Sequence, residues 1–310
     1  MTTFSVLKKP GTIAAGHGRI VSWLHNSTVV FSELSSTYPL KLLSPRVTDP
    51  GVAIVYVMSY GGGLVGGDHV NISVDVGKET KLVLLSQGST KVFKARPDRR
   101  ASTPLAPAGV NALPGITTQT LDVTINAQSA LFLLPDPVTC FRDACYTQVQ
   151  NFHLLDDASI ILLDWVTSGR KSTGEEWAFT KYRSTNEIFV NSHRIARDIL
   201  LLEESDPSKP DPRTLKDSLA PYSCYAMLIL YGPLTNAVVA HISSQYQAIS
   251  VYKTSSPPDL LWSLSPIADG MGTVVRIAGI ETEDVKKWLR DTLKKLRDIV
   301  GDDVYGKAFL

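Results

Sequence analysis

Read along its length, the chain alternates apolar and polar residues with a period of two over many short stretches. The clearest is His69-Val70-Asn71-Ile72-Ser73-Val74-Asp75-Val76, in which every second residue is aliphatic and its neighbours are polar. Leu121-Asp122-Val123-Thr124-Ile125-Asn126 repeats the pattern. Such alternation puts one face of a strand in a core and the other towards solvent. The same reasoning predicts strands over about 19–24, 28–34, 52–58, 69–76, 80–86, 119–126, 129–134, 146–154, 159–166, 176–190, 223–231, 236–242, 246–253 and 272–279. "SIILLDWV" is apolar at nearly every position, as for a strand covered on both faces. No regular helices lie between these strands, which disfavours an α/β sheet. One helix is predicted near the end, over about 283–300, with a short one at 213–220. In the long helix Val285, Trp288, Leu289, Thr292, Leu296, Ile299 and Val300 share a face, Thr282 can cap the start and Gly301 ends it. That face either packs on the sheets or binds a partner. Two Pro-rich stretches break the pattern: 96–118 reads as a surface insertion, and 205–213 interrupts whatever precedes it.

"SYGGGLVGGDHV", residues 59–70, raises a different possibility, because Gly61, Gly63 and Gly66 match the G-x-G-x-x-G spacing of a dinucleotide loop. That loop needs a helix after it, whose N-terminal amides hold the pyrophosphate. A strand follows here instead. Gly61, Gly62, Gly63, Gly66 and Gly67 are therefore expected to be structural, giving positive φ or close backbone approach at a strand-to-strand crossing.

Bulk properties narrow the function. The 310 residues carry a formal net charge of +1, which argues against nucleic acid or an acidic membrane as the main partner. Three cysteines without a C-x-x-C fit a reducing compartment rather than a disulfide scaffold. The apolar runs are too short to span a bilayer, and no apolar stretch follows Lys8 and Lys9 as in a secretory leader. A cytoplasmic protein is expected.

The common catalytic motifs are missing: there is no G-x-x-x-x-G-K-[ST], G-x-S-x-G or H-E-x-x-H. The six histidines are scattered, so tight metal storage is not expected. Acidic and polar residues do stand at the ends of apolar strands: Asp68 after the double glycine, Ser86-Gln87-Gly88-Ser89-Thr90 after "KLVLL", Asp136 between two prolines, Asp164 in "SIILLD", and Glu175-Glu176 before Trp177. A buried carboxylate is costly unless paired, hydrated or coordinating. Each has a structural alternative: Asp68 as a turn residue, Asp164 as a hydrogen-bonded strand end, Glu176 paired with Arg170 or Lys171.

Three blocks in order, "GGGLVGGDHVNISVDVG…KLVLLSQGSTKVFK" (61–94), "LFLLPDPVTCFRDACYTQ" (131–148) and "ILLDWVTSGRKSTGEEWAFTKYRS" (161–184), resemble the urease accessory protein D family. The resemblance implies a mainly β fold, with stacked sheets in a β-helix-like arrangement and about two helices, one of them C-terminal. It implies one domain over 1–310, carrying 96–118 as an insertion. It implies a non-enzymatic scaffold that binds apo-urease and accessory protein F, recruits the GTPase accessory protein G through F, and helps deliver nickel. No cofactor would be tightly bound; nickel would be in transit through a polar internal passage. On that basis Asp68, Asp164 and Glu175 are candidate nickel contacts, and Ser86, Gln87 and Thr90 candidate passage residues. Two alternatives stand beside this: a β-rich glycosidase using Asp164 and Glu175 as its carboxylate pair, and a non-catalytic β-sheet binding domain.

Overall fold

In the computed structural model, residues 14–94, 115–204, 213–249 and 257–309 are described. The strands in chain order begin β1 (His17–His25), β2 (Thr28–Ser36), β3 (Leu40–Leu43), β4 (Val52–Ser59), β5 (His69–Val76) and β6 (Lys81–Ser86). They continue as β7 (Thr90–Val92), β8 (Thr117–Ile125), β9 (Ala130–Leu133), β10 (Val138–Cys140), β11 (Cys145–Leu154) and β12 (Ser159–Thr167). The last are β13 (Lys181–Val190), β14 (His193–Glu203), β15 (Cys224–Tyr231), β16 (Leu260–Ile267) and β17 (Gly272–Gly279). Among the described residues five helices accompany them: α1 (Leu215–Leu219), α2 (Asn236–Gln247), α3 (Thr282–Thr292), α4 (Arg297–Val300) and α5 (Asp302–Ala308).

From β4 onward the chain passes back and forth between two sheets. A seven-stranded sheet has the order β14-β13-β11-β8-β5-β1-β2, and a ten-stranded sheet the order β16-β17-β15-β12-β9-β6-β4-β3 with β7 and β10 beside it. Inside each sheet the central strands run parallel: β1, β5, β8, β11 and β13 in one, β4, β6, β9 and β12 in the other. Parallel strands normally need helical crossovers. Here the crossover is a strand of the opposite sheet, which is why parallel pairing occurs without intervening helices. The result is the β-helix-like stack expected above, capped by antiparallel strands, and its sheets are not closed.

Strict alternation produces ladders of like residues through the stack. Ile20, Val74, Val123, Phe152 and Ile188 occupy one register row across five strands, and each is at most 1% exposed. All nine residues of β12 are buried, as its unbroken apolar run requires. Ile160, Leu162 and Val166 face the seven-stranded sheet, while Ile161, Leu163 and Trp165 face a layer of helices. The architecture is therefore sheet, sheet, helices, with two cores that share the ten-stranded sheet.

Several expectations change. Residues 236–242 and 246–247 are α2, not strand: Val238 and Ile242, four apart, are buried against the ten-stranded sheet, and that packing outweighs their β-branched preference. Residues 250–253, the loop at 205–212 and most of the expected insertion at 96–118 lie outside the described residues, although β8 already starts at Thr117. Strand β13 starts at Lys181, because Trp177 adopts a positive φ of 53° in the preceding turn. β3, β7, β10, β14 and β16 fall outside the predicted strands. The final helix has a 3₁₀ turn at Leu293–Leu296 and ends at Gly301 (φ 83°) as expected, with the separate helix α5 following it. Glu281, not Thr282, stands at its N-cap. No helix among the described residues is long and apolar enough to cross a membrane.

Close backbone crossings hold the layers in register. At Gly232 (φ 95°) an added Cβ would overlap the Ala158 carbonyl oxygen and come within 2.7 Å of Ser159 Cα, both backbone atoms that cannot turn aside. Gly232→Ala should cost roughly 3 kcal/mol, combining left-handed strain with that overlap. Urea unfolding measures it; an unchanged midpoint would contradict the crossing.

Candidate functional site

One region of the interior is not apolar. On β11 the inward residues are Tyr146, Gln148, Gln150, Phe152 and Leu154, and on β13 they are Tyr182, Ser184, Asn186 and Ile188, all buried. Register sets Gln148 opposite Ser184 and Gln119, and Gln119 opposite Val70. One row therefore turns from aliphatic to polar, strand by strand, as it crosses the sheet.

Asp164 of β12 reaches into this polar end from the opposite sheet. It is 8% exposed. Its Oδ1 accepts from Gln148 Nε2 at 3.3 Å and Tyr182 OH at 3.5 Å, and its Oδ2 accepts from Asn186 Nδ2 at 2.7 Å and from the Ser184 hydroxyl. Tyr146 OH donates to Gln148 Oε1 at 3.1 Å, extending the network. Burial raises the Asp164 carboxyl above its ordinary value; hydrogen bonds from Ser184 and Asn186 pull it back, Asp198 pushes it further up, and Gln148 opposes that. Burial likewise holds the Tyr146 and Tyr182 phenols well above their usual range, so both stay protonated donors. Gln150 Oε1, Thr185 Oγ1 and Asn186 Oδ1 are buried acceptors with no partner among the described residues. Such groups call for water or an ion.

A cavity of about 80 Å³ adjoins this cluster. Met58 and Ser59 of β4, Leu84 and Ser86 of β6, Leu133 of β9 and Asp164 of β12 line one wall, so it crosses four neighbouring strands. Three strand spacings make that roughly 14 Å along the stack. Gln119, Gln148 and Gln150 line the other wall. The space suits a short file of waters or a partly hydrated ion.

The six sequence candidates divide evenly. Ser86, Thr90 and Asp164 line the cavity. Asp136 joins them, its carboxylate accepting from Gly88 N at 3.0 Å while its own amide donates to Ser86 Oγ at 2.7 Å. Gln87 lies outside, exposed at the tip of the turn after β6. Asp68 is buried but turned into its own loop, where Oδ2 accepts from Val65 N at 2.7 Å; it fixes the turn before β5. Glu175 is on the outer surface, bound by Arg170 Nε at 3.0 Å and Nη2 at 2.7 Å, with Arg142 Nε 3.9 Å away. The Arg170 guanidinium, with help from Arg142, holds the Glu175 carboxyl below its ordinary value. Glu176 pairs with Lys216 at 2.7 Å, not with Arg170 or Lys171. Among the glycines, Gly61, Gly62 and Gly67 have positive φ, and Gly63 approaches the Lys91 carbonyl so closely that a Cβ would lie 2.6 Å from it; Gly66 is not left-handed.

The family model for the UreD urease accessory protein matches residues 14–306. The chain belongs to the UreD family. It is 38% identical to urease accessory protein 4 of Cryptococcus neoformans over 93% of this chain and 92% of that one. It is 32% identical to urease accessory protein D of Arabidopsis thaliana, over 87% and 92%, and 33% identical to UreD of Sorangium cellulosum, over 95% and 85%. A UreD-family chain is a urease accessory protein: it acts in urease maturation, alongside urease and other accessory proteins, and is not an enzyme. The glycosidase alternative also fails on geometry. Its two carboxylates lie in different places, Asp164 between the sheets and Glu175 outside them.

The interior contains residues that a search for carboxylates passes over: Gln119, Gln148, Gln150, Tyr182, Ser184 and Asn186. Part of their signal lies in the sequence. In "CYTQVQNFHL" the two glutamines fall in phase with Tyr146, Phe152 and Leu154, on the buried face.

Proposed function

We propose that this UreD-family chain is a scaffold and metal-transfer chaperone that binds apo-urease and accessory protein F, engages the GTPase G through F, and assists nickel delivery through its polar interior. The observation that carries the reading is the buried Asp164 cluster, which opens on a cavity across four strands. A passage for nickel must offer oxygen ligands without trapping the ion. Amide and hydroxyl oxygens with two carboxylates, Asp164 and an Asp136 that lies 3.7 Å from Lys286 Nζ, meet that need; no group of three His, Cys, Asp or Glu able to hold a metal tightly occurs among the described residues. Asp164, Ser86 and Thr90 remain the path residues of this reading, joined by Gln148, Gln150 and Asn186.

The test is co-expression of urease with accessory proteins F and G and nickel, with this chain included or omitted. Urease activity and bound nickel should both rise at least tenfold only when it is present. Equal nickel content without it would overturn the reading.

A further inference from the structure

Outside the sandwich, Val65, Phe93, Lys94, Phe141, Arg142, Arg170 and Glu175 enclose a surface hollow of about 480 Å³. Its floor is aromatic: Phe93 meets Phe141 edge-on, with ring centres 5.0 Å apart and planes at 86°. The Arg170 guanidinium lies over the Phe141 ring at 4.4 Å, a cation–π contact that fixes its plane. Glu175 fixes its edge through the bidentate pair described above. The backbone is drawn tight to allow this. Gly169 has φ 117°, and a Cβ there would lie 2.5 Å from the Glu175 carbonyl oxygen.

The charges are layered. The Glu175 side chain is only 12% exposed, whereas Arg142 is 55% and Arg170 48% exposed. One sunken carboxylate thus holds the Arg170 guanidinium through two hydrogen bonds and lies 3.9 Å from that of Arg142, which leaves one positive charge in excess on two half-exposed side chains. Lys94 adds a third cation at the rim, in a loose 3.8 Å pair with the exposed Asp143. A positioned Arg170 guanidinium with the Arg142 charge beside it, above an apolar floor, matches a carboxylate next to an apolar side chain.

We propose that this hollow docks an acidic segment of a protein partner, with a partner carboxylate meeting Arg142 and Arg170 and its apolar neighbour resting on Val65 and Phe93. Charge selects the occupant. The chain's own segment 95–114 holds a single acid, Asp98, against Arg96, Arg99 and Arg100, so it has the wrong sign to fill the hollow. The inference rests on the scaffold reading. It also gives Glu175 a different role, that of holding Arg170 beside Arg142 for recognition rather than contacting metal.

The experiment immobilises the full chain and titrates purified apo-urease and, separately, purified accessory protein F at several salt concentrations. Arg142→Glu combined with Lys94→Glu changes exposed side chains only, and a thermal melt checks that the fold persists. Lys287→Glu, on the exposed face of α3, is the charge control. For at least one of the two proteins, the double reversal should weaken binding about tenfold or more and flatten its salt dependence, with the control within about twofold of the parent. If the parent binds but the double reversal matches the control, this docking site is wrong while the scaffold role stands. If the parent binds neither protein, the scaffold reading fails and takes this inference with it.

Discussion

Asp164→Asn should leave the protein folded while lowering nickel loading of urease by about tenfold or more, and Asp164→Ala should destabilise the fold itself by about 3 kcal/mol. The difference lies in what surrounds the carboxylate. Four donors converge on it: Gln148 Nε2, Tyr182 OH, the Ser184 hydroxyl and Asn186 Nδ2. Alanine strands all four in a buried space. Asparagine keeps the volume and one carbonyl oxygen, and its new N–H₂ finds acceptors at hand. The Ser184 hydroxyl can rotate, and Asn186 can turn its amide to present Oδ1, which lacks a partner among the described residues. What asparagine cannot supply is the negative charge that the proposed nickel passage relies on at this position.

Stability against pH gives an independent handle on the same residue. The carboxyl titrates near 3.8 when unfolded, and burial raises it in the folded protein. As pH rises from 3.8, the folded state keeps its proton after the unfolded state has released it. Stability therefore falls with rising pH until the folded carboxyl has also ionised, and then levels off. Asp164→Asn should abolish that decline, so the two unfolding midpoints diverge upward from about pH 4 in favour of the variant. Parallel pH curves, or urease nickel content equal to the parent's at matched protein levels, would remove Asp164 from the passage.

The strands were legible because alternation is local: β5 and β8 each follow from a short run of consecutive residues. The pairing of Glu175 with Arg170, five residues away, is equally local, but the sequence reading offers Arg170 or Lys171 to Glu176. The site was less legible. Ser86, Thr90 and Asp164 meet only because β6, β7 and β12 belong to one parallel stack, and no spacing in the chain encodes that. Nor does a buried acid reveal its use. Asp68 and Asp164 are equally enclosed, yet one accepts from the backbone of its own turn and the other from four side chains across the sandwich. The amides escape notice for a different reason. Gln148 and Gln150 carry no charge and look ordinary in a strand until their phase is compared with that of Phe152. α2 reads as a strand because β-branched residues spaced four apart serve a helix as well as a strand, and only the sheet beneath decides.

Leu289→Ala should lower stability by about 3 kcal/mol and leave nickel transfer per folded molecule unchanged. Leu289 is fully buried with Val285, Leu293, Leu296 and Val300 in the core between the helices and the ten-stranded sheet. The residues turned outward on the same helices are charged: Lys287, Arg290, Asp291, Lys294 and Lys295 are all exposed. The apolar face of the final helix is thus spent on the sheet rather than kept for a partner. Because β12 separates the two cores, a void at Leu289 opens in the core under the helices, away from the inward face that carries Asp164. Urea unfolding should therefore show a shifted midpoint, and the co-expression assay should show less accessory protein but the same nickel delivered per molecule. Asp164→Asn should give the reverse: normal abundance and poor delivery. If Leu289→Ala instead lowered delivery per molecule with the midpoint unmoved, the helical layer would belong to the transfer machinery and the division of labour between the two cores would be wrong.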